Sequence, residues 1–124
     1  MTVRFADGTA EKARLIGVDT PETVHPDQPD GCYGAEASAY TKRRLLGATV
    51  AVATDREARD RYGRLLVYLW LESGEFYNRT LIAEGYAIEK HYAPNTRYRV
   101  ELQQAEAEAR AAGRGLWTAC ANRP

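Results

Sequence analysis

The run Arg14-Leu15-Ile16-Gly17-Val18-Asp19-Thr20-Pro21-Glu22 constrains this chain most. It carries an apolar strand into a charged end: one cation, two carboxylates and a threonine carbonyl. Proline has no N–H to give a ladder, so Pro21 stops the strand. Hard cations take oxygen ligands, and a guanidinium matches the oxygens of a phosphate. The grouping therefore suits a hard metal ion beside a phosphate.

A chain of 124 residues fits one domain, residues 1–124, with one core. Basic and acidic residues balance at 17 each, so net charge gives no argument for a nucleic-acid partner. Any anion-binding surface has to be a local patch, offset by acids elsewhere. No stretch is long and apolar enough to cross a membrane, so no membrane partner is expected. No signal-peptide pattern precedes Met1, which fits a cytosolic chain or one whose leader lies outside this sequence. Cys32 and Cys120 are either one bridge or two free thiols. With His25 and His91 they show no zinc-ligand spacing.

Residues 2–6 and 9–18 read as a hairpin about Asp7-Gly8. The loop 19–31 is rich in Pro, Asp and Gly, and long loops are often functional. Residues 34–46 read as a helix with Ala35, Ala39 and Leu46 on one face and Gly47 just past its end. Strands are expected at 48–53 and 63–71, with a return strand through Tyr77 after the Ser73-Gly74 turn. Asn78 reads as the N-cap of a helix that stops at Gly85. A short strand at 86–89 precedes the last helix, 97–112. Its stripe is Tyr98, Leu102, Ala105, Ala109 and Ala112, with a Glu106–Arg110 pair outside. Leu116 and Trp117 dock the tail. The order of elements argues for α+β, a small antiparallel barrel or sheet flanked by helices. Five-stranded barrels of this size commonly bind oligonucleotides.

The chain resembles the staphylococcal nuclease (thermonuclease) family. The matching pieces are R-L-I-G-V-D-T-P-E, H-P, Y-G-A-E-A-S-A-Y-T-K, D-R-Y-G-R-L-L-V-Y, N-R-T-L-I-A-E-G-Y-A, Y-A-P-N and G-L-W, in family order over nearly the whole chain. The resemblance implies an oligonucleotide-binding (OB) fold, a five-stranded Greek-key barrel with three helices. It implies a calcium-dependent phosphodiesterase that cuts single-stranded DNA and RNA, leaving 3′-phosphate and 5′-hydroxyl ends. It also implies a secreted or periplasmic location.

Residue by residue, Asp19 and the Thr20 carbonyl match Ca2+ ligands, although Asp-Thr-Pro is also ordinary turn chemistry. Glu22 matches the general base; otherwise it is a solvated loop residue. Arg14 and Arg64 match the pair that clamps the scissile phosphate, a task lysine's geometry does not fill. Tyr62 and Tyr92 match the nucleotide pocket; otherwise they edge the core. Lys90 stands where the family often has another tyrosine, and it can meet phosphate or base-edge oxygens. Asp60 supports the Arg64 loop.

Two departures bear on function. The family's further Asp ligand precedes the residue matching Thr2, and here that place is Met1. Calcium affinity should fall unless Asp7, Glu36 or water compensates. The first barrel strand is also missing, which leaves an edge open to dimer formation. A truncated start accounts for both, since Arg14, Glu22 and Arg64 all remain. The competing reading is a non-catalytic module that grips nucleic acid or peptide.

Overall fold

The computed structural model describes residues 1–21 and 31–121. Glu22 and His25 lie outside the described residues. In chain order the elements are β1 (Thr2–Arg4), β2 (Ala10–Leu15), β3 (Val18–Asp19), α1 (Gly34–Leu45), β4 (Val50–Ala53), β5 (Leu65–Leu71), α2 (Tyr77–Ala83), β6 (Ile88–Glu89), α3 (Arg99–Ala112) and α4 (Leu116–Ala119).

The hairpin forms about Asp7-Gly8, but its second strand ends at Leu15 instead of running to Val18, which joins another ladder. The Asp7 carboxylate accepts the Thr9 N–H at 2.9 Å and its hydroxyl at 2.7 Å, closing the turn between β1 and β2. β2 then runs parallel to β5, and β4 pairs antiparallel on the far side of β5. β5 is covered on both faces, which explains its unbroken apolar run. Val67 and Leu69 enter the main core; Leu66 and Tyr68 join Ile16, beside Trp70, Phe76 and Tyr98.

The ladders do not form the expected closed five-stranded barrel. Among the described residues they make an open sheet, β1-β2-β5-β4, and a separate ribbon, β3-β6. The division falls at Gly17, whose φ of +77° turns the chain out of β2. A side chain there would meet Leu102 Cδ1 at 2.5 Å, so the turn needs glycine twice over.

Asn78 is not a cap. It lies inside α2, fully buried, and N-capping falls to Phe76 without a side-chain bond. Its Oδ1 accepts the Leu69 N–H at 2.9 Å, and its Nδ2 donates to the Ile16 carbonyl at 2.9 Å. Buried main-chain groups need such partners where a ladder stops.

Other expectations shift with packing. Ala35, Ala39 and Leu46 of the first helical segment are exposed, Leu46 to 87%. The inward face is Gly34, Ala37, Tyr40 and Thr41 instead: Tyr40 stacks on Tyr86 with centroids 4.1 Å apart, and Thr41 bonds the Tyr77 hydroxyl at 2.9 Å. Larger aromatic surfaces outweigh a stripe of alanines. Tyr98 precedes α3 and packs edge-on against Tyr68; Ala112 is exposed. Glu106 accepts the Glu89 N–H, while Arg110 stands over the Trp117 ring, so the expected pair is not made. The return strand reduces to one bridge, Trp70 to Phe76. The docked tail includes a fourth helix, α4.

Cys32 and Cys120 are bridged, with Cα atoms 6.0 Å apart and a separation of 88 residues. The bridge ties the approach to α1 to the end of α4. Reduction should cost about 2–4 kcal/mol, read as a lower urea midpoint in dithiothreitol. Asn78→Ala should cost about 3 kcal/mol on the same curve, because it strands buried N–H and C=O groups.

Candidate functional site

The parallel register of β2 and β5 brings two distant arginines to one place. Arg14 lies opposite Leu66, and Arg64 comes just before β5 begins. Arg14 and Arg64 line a cavity of about 550 Å³ together with Asp19, Thr20, Met1 and Lys42.

Gly17 aims β3 at β6, where Val18 pairs with Glu89 and Asp19 with Ile88. The ladder continues one step as Lys90 N–H donates to the Gly17 carbonyl at 3.0 Å. This register carries Tyr92 back to Arg14. Arg14 Nη2 donates to the Tyr92 hydroxyl, and Arg14 Cζ is 5.1 Å from the ring centroid. Lys90 Nζ is 5.8 Å from the same centroid.

The loop before β5 is organised by Asp60. Its Oδ1 accepts the N–H groups of Tyr62 and Arg64, each at 2.9 Å, and its Oδ2 pairs with Arg64 Nε at 2.7 Å. Tyr62 is 68% exposed, so it is no core residue; the guanidinium carbons of Arg61 and Arg64 lie 4.9 and 5.5 Å from its ring centroid.

Two contributors were not read from the sequence. Asn95, buried at 5% exposure, accepts the Glu57 N–H at 2.8 Å and donates to the Glu57 carbonyl at 2.9 Å. It thereby joins the Tyr92 loop to the segment leading to Arg64. Its partner lies 38 residues away, and no local pattern announces that. Lys42 faces the cavity because α1 presents Gly34, Ala37, Ser38, Thr41 and Lys42 along one side.

Asp19 and the Thr20 carbonyl are hard oxygen donors, the right kind for Ca2+. Among the described residues no cluster of three His, Cys, Asp or Glu side chains could hold a metal ion. A hard ion here would draw its further ligands from water and from phosphate oxygens. Asp7 is engaged in its turn and Glu36 is exposed on α1, and neither is among the residues that line the cavity. Both cysteines are consumed by the disulfide.

Residues 12–119 match the profile of the family described as Staphylococcal nuclease homologue. The chain belongs to the staphylococcal nuclease family. It is 47% identical over 111 residues to the Thermonuclease of Staphylococcus intermedius and 44% over 112 residues to that of Staphylococcus hyicus. Each match takes in 90% of this chain and 66% of the relative, so the chain spans just under two thirds of their length. Endonuclease YncB of Bacillus subtilis is 33% identical over 114 residues, 90% of this chain and 54% of the relative. Membership implies an OB-type fold, with which the mixed α+β architecture agrees. No helix among the described residues is long and apolar enough to cross a membrane.

Burial alone would raise the Asp60 carboxyl, but bonds from Arg64 N–H, the Arg64 side chain and Tyr62 N–H outweigh it and hold the group below its ordinary 3.8. A depressed native value stabilises the folded chain above pH 3.8, and that contribution is lost as pH falls through the native value. Asp60→Asn should therefore flatten the fall of stability with pH below 3.8, measured by urea unfolding at stepped pH.

Proposed function

We propose that this chain is a calcium-dependent nuclease that hydrolyses phosphodiester bonds in DNA and RNA and leaves 3′-phosphate and 5′-hydroxyl ends. One observation carries the reading: Arg14, Arg64, Asp19 and Thr20 share a cavity, in a chain 47% identical to a thermonuclease.

A phosphodiester repels nucleophiles by its negative charge, and its transition state gathers more charge on the equatorial oxygens. Arg14 and Arg64 are assigned to those oxygens, each offering a fork of N–H donors. Asp19 and the Thr20 carbonyl are assigned to Ca2+. Bound calcium would supply further positive charge at the phosphate. Glu22 is assigned, from its sequence position, the removal of a proton from the attacking water. Tyr62, Lys90 and Tyr92 are assigned to the substrate strand, where rings and cations together suit single-stranded DNA and RNA. The disulfide supports a secreted or periplasmic location, because such bonds persist in oxidising compartments.

Cleavage of single-stranded DNA with Ca2+ or with chelator tests the reading. Activity should require Ca2+, and full activity in chelator would remove the metal. Glu22→Gln should lower turnover by about 10²–10⁴ while filter binding holds. Arg64→Lys should lower turnover by about 10² or more. Wild-type protein that binds and never cleaves would be the non-catalytic module.

A further inference from the structure

We infer that Tyr92 is a positioning residue for Arg14, and that Lys90 beside it contacts a substrate phosphate. The inference rests on the nuclease reading above.

A guanidinium must hold one orientation to give a phosphate two parallel N–H bonds. Arginine is long, and holding it costs rotamer entropy unless neighbours already fix it. Tyr92 holds Arg14 through its hydroxyl, which accepts from Nη2, and this leaves Arg14 Cζ 5.1 Å from the ring centroid at the hydroxyl edge of the ring. The phenol is neutral, so it orients the fork without cancelling its charge. Arg64 is held differently, through Nε on the Asp60 carboxylate at 2.7 Å. Of the two arginines, Arg14 thus leans on a neutral group and Arg64 on an anion.

Tyr92 can act this way because its loop is itself anchored at both ends. Lys90 N–H bonds the Gly17 carbonyl at 3.0 Å, and Asn95 N–H bonds the Tyr92 carbonyl at 2.7 Å. The Asn95 side chain then locks onto the Glu57 main chain. The Lys90 ammonium lies 5.8 Å from the Tyr92 ring centroid, and Arg14 is bonded to the hydroxyl of the same ring. A phosphate would meet two cations and a hydroxyl already gathered there.

A double-mutant cycle tests this on single-stranded oligodeoxynucleotide with Ca2+, with melting temperatures confirming that each variant folds. Tyr92→Phe keeps the ring and drops the acceptor. It should lower kcat about tenfold with KM within about twofold. On an Arg14→Ala background, followed by single-turnover rates, the further loss should fall below about twofold. On an Arg64→Ala background the tenfold loss should persist. An equal loss on both backgrounds, or a loss confined to KM, would overturn the positioning role. Lys90→Ala should reduce the slope of log binding constant against log salt by about 0.7, as for one single-strand phosphate contact. An unchanged slope would overturn the phosphate contact by Lys90. Wild-type protein that shows no Ca2+-dependent cleavage would overturn the nuclease reading, and this inference with it.

Discussion

Where β2 gives way to β3 the backbone must leave one ladder and join another, and the Asn78 side chain takes up the groups this strands. Ile16 still donates its N–H to the Val67 carbonyl at 2.9 Å. Its own carbonyl would be orphaned in the core without the Asn78 amide. The same amide serves Leu69 N–H and, at 3.3 Å, the Val67 carbonyl. A hydrophobic residue of similar size would fill the space and satisfy none of them. Gly17 can therefore turn immediately after Ile16, and everything that follows depends on that turn. It directs Asp19 toward the cavity, gives β3 to β6, and so fixes how far along the chain Lys90 and Tyr92 reach.

The site is held from two further directions, and each uses a short polar side chain on main-chain groups. Asp60 draws Tyr62 and Arg64 into one tight loop. Asn95 clips the Tyr92 loop to Glu57, a few residues before Asp60. The Asp55 carboxylate adds a clasp to the same segment, accepting the Tyr68 hydroxyl at 2.6 Å and the Arg97 N–H at 3.1 Å. Donors aimed in advance at developing charge need no reorganisation during reaction, which makes such supporting bonds relevant to rate as well as stability. The functional side chains themselves make few contacts; their directions are borrowed from these neighbours.

What the sequence displayed openly was local chemistry. The end of the strand near Asp19, the Asp7-Gly8 turn, the apolar run of β5 and the stripe Leu102, Ala105 and Ala109 all follow from spacing and turn residues. The pairing of β2 with β5 joins segments about fifty residues apart, and no periodicity specifies that partner. Asn78 looked like a cap because asparagine before an apolar run usually is one; its long-range role rests on groups that only the assembled sheet exposes. The face of α1 was misread for a related reason. Alanines at helical spacing carry little area, so the direction was decided by Tyr40 and by Arg44, which reaches Glu75 at 2.6 Å. Arg14, Arg64, Asp19 and Thr20 were legible as a site through motif resemblance, whereas Lys42 and Asn95 lie in matching pieces that assigned them no role.

Charge placement resolves the tension between a neutral chain and an anionic substrate. Acids and bases number 17 each, yet many of the acids are spent away from the cavity. Glu11 pairs with Arg59, Glu75 with Arg44, Glu89 with Arg99, and Glu101 and Glu108 both with Arg79. The more exposed of these, such as those of Arg79, add little stability. The effect of the pairs is to neutralise arginines elsewhere on the surface. Arg14, Arg64 and Lys42 line a cavity where Asp19 is the one carboxylate among the described lining residues. Field strength there depends on the local excess, since charges beyond about 10 Å are screened at ordinary ionic strength. Among the described lining residues Arg14, Arg64 and Lys42 outnumber Asp19, so a chain with no net charge can present a local cationic excess to a phosphate, moderated at Arg64 by its pairing with Asp60.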